Sequence, residues 1–278
     1  MFVAQSAALL PAAHIAFARD PLRRENLGVQ LYTVRNIIEK DPAKVLHAIQ
    51  EIGYSEVEAT YENLHQIWPA LKETSLHAVS VHVGGPESAA KFEPTLADVK
   101  KLGFEYVVVP WAETAKGGEE GVKKIAATLN KMGEQARAQG LTLCYHNHAH
   151  DFTPMGGSNA LEILLGQTDP ANVQLEMDIF WVTIAGLDPV KLLQKHSGRV
   201  PLVHLKDKWK SFTKTQFSED VPVNTFSAVG DGSIDIPAVL SAAAACGVRH
   251  YFVEQDHTPG DPIAALRESY DNLKTQFK

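Results

Sequence analysis

Five glycines, Gly53, Gly103, Gly140, Gly198 and Gly247, each close a helix-like segment and stand just before an apolar run. A helix C-terminus favours a left-handed residue, and glycine takes that conformation without strain, so the chain repeats one order: helix, glycine, strand. The strand-like runs fall at 27–34, 54–60, 77–83, 104–110, 141–147, 173–178, 200–205 and 250–254. Several are continuously apolar, as parallel strands buried on both faces must be, and each interval is long enough for a crossover helix. Asp41 and Pro42, ahead of the apolar Val45, Leu46 and Ile49, read as N-cap and first helical residue. Eight alternating units predict an α/β fold of one kind, a single closed (β/α)8 barrel, rather than an open doubly wound sheet. No G-x-G-x-x-G follows the first strand, which lowers the dinucleotide-binding alternative.

Composition narrows the partner. Lys and Arg number 26 against 33 Asp and Glu, a net charge of −7, which offers no electrostatic footprint for a nucleic acid and suits a small, weakly charged molecule. Cys144 and Cys246 make no disulfide framework and read as packed thiols. Past the N-terminus no run of about 18 apolar residues calls for a membrane span. Residues 1–25 are set apart as an N-terminal extension: Met1 to Ala18 is rich in Ala and Leu and ends in Ala-Phe-Ala before Arg19, like the later part of an export signal. No Lys or Arg precedes that run, and His14 interrupts it. The expectation is a periplasmic or secreted protein, with a cytoplasmic one as the alternative, and residues 26–278 as one barrel domain, alone or in a homo-oligomer.

The stretch Leu141 to Phe152, LTLCYHNHAHDF, runs β-formers directly into His146, His148 and His150. Side chains two apart on a strand share a face, so His146 and His148 can look into one cavity, and neutral imidazole is a common metal ligand. Asp178, His204 and Glu254, at the ends of three later strands, supply the remaining donors for one cation. A barrel enzyme carries its chemistry at the C-terminal ends of its strands, and Glu58, His82, Trp111, His146, His148, Asp178, His204, Lys206 and Glu254 all fall there. The longest interval, 208–229, carries Lys208, Lys210 and Lys214 with Trp209 and Phe212 and reads as a lid or binding loop. Gly230 and Gly232 around Asp231 have the look of a phosphate nest, on a weak G-x-G signal.

These motifs together resemble the sugar phosphate isomerase/epimerase superfamily of xylose isomerase-like TIM barrels, in its YHNH-containing branch. The carrying stretches are GVQLYTVR at 28–35, GYSEVE at 53–58, YHNH at 145–148, MDIFWV at 177–182, HLKD at 204–207, VGDGSIDI at 229–236 and VEQD at 253–256. The resemblance implies a divalent cation (Mn, Zn, Co, Fe or Mg) held by a Glu of strand five, an Asp of strand six, a His of strand seven and a Glu of strand eight. The last three correspond to Asp178, His204 and Glu254. The strand-five Glu is replaced by His146, with His148 as its competitor.

A cation chelated by a substrate carbonyl and its neighbouring hydroxyl makes the α-proton removable. Glu254 is the expected base; His146 or His148 would return the proton, with Lys206 steadying an oxyanion. Trp181, Lys210, His82 and Glu58 are the expected substrate contacts. The leading expectation is therefore a metal-dependent isomerase or epimerase of a keto-sugar or polyol. A lyase removing water or an aglycone from a 3-keto sugar is the alternative, suggested by His in place of Glu. A phosphodiesterase is disfavoured by Trp181, where further metals would need a His, and a barrel that binds sugar without turnover is the non-enzymatic reading.

Overall fold

A computed structural model describes residues 22–278, so the expected export signal lies outside the described residues. Eight parallel strands close a barrel in sequential order. They are β1 (Leu27–Gln30), β2 (Glu56–Thr60), β3 (His77–His82), β4 (Tyr106–Val109), β5 (Thr142–His146), β6 (Val173–Asp178), β7 (Leu202–Leu205) and β8 (His250–Val253). β8 returns to β1, with Tyr251 opposite Leu27 and Phe252 opposite Gly28. Every predicted strand is present, most of them shorter than read, because the apolar runs extend into the turns on either side.

The helix Pro42–Ile52 starts where Asp41 accepts a hydrogen bond from the Lys44 amide and stops at Gly53, whose φ of 119° suits it to the left-handed turn. It buries Val45, Leu46, Ile49 and Ile52 against the barrel wall. Inside the barrel, Val79, Tyr106, Val108, Cys144, Leu202 and Phe252 form a separate apolar plug. Inward side chains alternate along each strand, so residues two positions further along the same strands stand above this plug. After Cys144, Leu202 and Phe252 those residues are His146, His204 and Glu254, and Glu176 and Asp178 of β6 stand at the same level, paired in register with His146 and His204 respectively. A third apolar group, Ala149, Phe180, Trp181, Ile184 and Phe226, sits at the C-terminal rim, with Phe212 and Val221 of the long loop packed on it. That loop is anchored at both ends by an antiparallel ladder pairing Asp207–Lys208 with Phe226–Ser227.

Candidate active site and metal centre

The inward parity of β5 to β8 delivers His146, Asp178, His204 and Glu254 to one place. Asp178 pairs in register with His204, and His146 with Glu176. The donor atoms of Asp178, His204 and Glu254 lie within 4.8 Å of one another. His146 Nε2 is 3.7 Å from Asp178 Oδ2, and His204 Nδ1 is 2.8 Å from Glu254 Oε2. Asp178, His204 and Glu254 thus converge from three strands with His146 Nε2 at their edge, a mixed nitrogen and oxygen set suited to Zn, Mn, Fe or Co. Of the two competing histidines, His146 stands at the edge of this group through Asp178, while His148 makes no ion pair with it. His148 stands beyond it, its ring centroid 4.9 Å from that of His146.

Each clustered imidazole uses its other nitrogen on a buried carboxylate. His146 Nδ1 lies 3.0 Å from Glu176 Oε2, and His204 Nε2 lies 2.6 Å from Glu58 Oε1. His82 Nε2 bridges the pair, 3.0 Å from Glu58 Oε1 and 3.0 Å from Glu176 Oε2. His82, His146, Glu176 and His204 form a second group of close donors, but it uses the nitrogens of His146 and His204 that face away from Asp178 and Glu254. The upper group reaches the cavity through Glu254 and His146, with Asp178 and His204 buried behind them, and the lower one backs its imidazoles, with His82 at the cavity floor.

Lys206 Nζ lies 3.0 Å from Asp178 Oδ2, 2.8 Å from Glu254 Oε2 and 2.6 Å from Asp256 Oδ1. Burial alone would lower its pKa, but Asp178, Asp256 and Glu254 hold it well above the ordinary lysine value. Burial likewise works to raise Glu254, yet Lys206 and His204 keep that carboxylate far below its usual range. Asp256 is pushed up to about 6, by burial first and against the pull of Lys206. His148 is lowered well below the ordinary histidine value by burial and then by the charge of Lys206, which makes it a neutral imidazole at pH 7.

A cavity of about 310 Å³ opens over these groups. His82, His146, His148, Lys206, Glu254 and Asp256 line its inner part, and Tyr32, Trp111, Trp181 and Phe226 its aromatic walls. Burial leaves the Trp181 indole N–H without a protein partner. Among the described residues Lys206 is the single lysine or arginine in the lining, against Glu219, Glu254 and Asp256.

Two expectations need correction. Glu58 is fully buried beneath the cavity and does not line it. Lys210 is exposed on the long loop, outside the cavity. The weak G-x-G signal, on which no phosphorylated substrate was expected, marks a filled turn: the Asp207 carboxylate accepts hydrogen bonds from the backbone amides of Lys208, Gly230, Gly232, Ser233 and Ile234 at 2.7 to 3.1 Å. An aspartate of the chain itself neutralises that ring of N–H dipoles, and no phosphate can share it. His150, the third histidine of the stretch, faces the long loop, its Nδ1 2.8 Å from Glu219 Oε1.

Sequence reasoning passed over Glu176, Asp256, Glu219, Tyr32 and His257. Glu176 was readable, since it precedes Asp178 by two residues and shares its inward parity. Glu219 carried no signal, because only the folded loop brings it to the cavity.

A family model of xylose isomerase-like TIM barrels matches residues 46–276. An inosose dehydratase of Geobacillus thermodenitrificans is 32% identical over 144 residues, 49% of this chain and 48% of that protein. The chain spans about half the length of the curated relatives it matches. Among solved structures, a sugar phosphate isomerase/epimerase of Parabacteroides distasonis superposes with a TM-score of 0.76 at 23% identity, covering 89% of this chain and 97% of that one. The IOLI protein, solved with a zinc atom, superposes with a TM-score of 0.69 at 19% identity, covering 91% and 99%. At these identities the structural likeness speaks for the fold.

Proposed function

Since the chain belongs to the xylose isomerase-like TIM barrel family, we propose that it is a metal-dependent lyase acting on an unphosphorylated keto-polyol: it removes the proton beside the carbonyl and expels the β-hydroxyl as water. The observation that carries this reading is that strand five presents His146 to the cluster, leaving neutral His148 beside the Lys206 ammonium as the proton carrier in the cavity. The inosose dehydratase relatives support the same reaction type.

His146, Asp178, His204 and Glu254 would hold the cation; their convergence, with each imidazole backed by a carboxylate, supports that assignment. When bound, a dication supplies Lewis acidity to the substrate carbonyl. A ring nitrogen of His148 accepts the α-proton as the C–H bond breaks, and the electron pair moves into the carbonyl to give an enolate. The Lys206 ammonium stabilises that developing negative charge. Collapse of the enolate breaks the bond to the β-hydroxyl, which leaves as water with the proton returned by His148, giving an enone. One imidazole serves both transfers, which suits elimination of groups on one face of the ring. Trp111 and Trp181 offer aromatic faces to the ring, and the filled nest and acidic lining argue against a phosphate.

Glu254 favours a second reading, isomerisation or epimerisation, because it is another carboxylate in the same cavity. Its pKa, held low by Lys206 and His204 against burial, makes it a weak base. Incubating metal-loaded protein with inosose and a panel of keto-sugars in D2O separates the two. A lyase gives loss of one water and an enone absorbance; an isomerase gives deuterium in substrate of unchanged composition. Neither result on any member of the panel would leave the non-catalytic reading.

A further inference from the structure

Beneath the cavity lies a layer that the proposed reaction leaves unused. Glu58 and Glu176 are both 0% exposed, and no lysine or arginine pairs with either among the described residues. Glu58 Oε2 and Glu176 Oε1 have no hydrogen-bond partner at all. Burying two carboxylates so incompletely satisfied is unfavourable, and apolar side chains would fill the space at less cost. What the carboxylates do hold is the pair of imidazoles above them.

We propose that Glu58 and Glu176 are positioning residues that set the metal affinity of the upper cluster, acting through His204 and His146. This rests on the metal-dependent reading above. Glu176 Oε2 at 3.0 Å from His146 Nδ1 holds the ring proton on that nitrogen, which leaves the Nε2 lone pair toward Asp178. Glu58 Oε1 at 2.6 Å from His204 Nε2 does the same for the other ring and leaves Nδ1 toward Glu254. A carboxylate behind an imidazole fixes its tautomer and orientation and raises its basicity as a ligand. His82 ties the two carboxylates into one frame through a single nitrogen, and Gln30 Nε2 donates to Glu58 Oε1 at 2.7 Å.

The arrangement also accounts for charge. His146 stands where the resemblance implied a glutamate, so the upper cluster has lost one negative charge; Glu176 returns it one layer lower, delivered through the ring. The consequence is specific to this chain: removing the charge of Glu176 weakens a site whose four ligands are all intact.

The test titrates Co2+ into purified wild type, E176Q, E58Q and E176D against a competing chelator, and follows the Co2+ ligand-field bands together with the thermal midpoint. Each glutamine variant is expected to lose about 10- to 100-fold in Co2+ affinity and to shift the bands, with E176D recovering part of the loss. The thermal midpoint should fall, because His82 loses one of its two carboxylate partners, so affinity is read on the folded fraction. A merely structural role would lower the midpoint while leaving the affinity of the folded fraction and the bands unchanged. Folded glutamine variants that bind Co2+ as tightly as wild type, with unshifted bands, overturn the inference. Should E176Q fail to fold, E58Q decides by the same readout through His204. Wild type that binds no Co2+ would sink the metal-dependent reading itself, a result distinct from tight binding by all four proteins.

Discussion

Single side chains carry most of what is unusual here. Trp181 presents a buried indole N–H that finds no partner in the protein, in a wall of the cavity where a polyol oxygen would accept it. Trp181→Phe keeps a smaller aromatic face and removes the donor, so KM should rise at least about 10-fold, the worth of one hydrogen bond of roughly 1.4 kcal/mol, with kcat less affected; steady-state kinetics on the keto-polyol checks it. Asp207 is the opposite case, an acceptor saturated by five backbone amides. Gly230, at φ 97°, lets the chain turn tightly around it. Asp207→Asn replaces one oxygen with a donor that faces donors, and should cost about 3 kcal/mol in denaturant unfolding. Equal stability of the variant would mean that the ring of amides is held by the loop alone.

At the level of elements, the loop after β7 is what closes the cavity from above, and its hold is local. Glu219 accepts from the His150 backbone amide and lies 2.8 Å from His150 Nδ1, while His150 Nε2 is 2.9 Å from the Ala112 carbonyl. Burial would lower the His150 pKa, but Glu219, Asp151 and the Ala112 carbonyl raise it to about 9 from 6.5. A folded value above the unfolded one means that the ion pair contributes fully below about pH 6.5 and loses its contribution as pH climbs through about 9. Limited proteolysis within 208–229 should therefore accelerate between pH 7 and pH 10 in wild type. In Glu219→Gln the loop should be cut faster already at pH 7, with a flatter pH dependence. Two identical profiles would show that the clasp does not hold the loop.

For the molecule as a whole, a barrel of net charge −7 gathers Glu219, Glu254 and Asp256 around Lys206, the one lysine lining the cavity among the described residues. A dianionic substrate meets like charge at the mouth and finds the amide nest already taken. A sugar phosphate should thus show at least a 10-fold lower kcat/KM than the matching free keto-polyol, and the gap should narrow as salt screens the cavity. A phosphorylated sugar turned over faster than its free form would contradict the acidic cavity as a selectivity device.

Much of this was legible in the chain. Period, glycine placement and apolar runs determined eight βα units, because strand and helix repeats and left-handed helix ends are local properties of the backbone. The same local parity placed His146, Asp178, His204 and Glu254 at strand ends, and so on one side of any closed barrel. Contacts between distant segments were not legible. That Glu58 sinks below the cavity, that Glu176 backs His146, that Asp207 plugs the glycine turn and that Glu219 reaches His150 depend on the radius and stagger of the closed sheet and on the path of one long loop. Only closure of β8 onto β1 sets those distances, and a difference of an ångström or two decides whether a carboxylate meets a cation, an imidazole or a ring of amides.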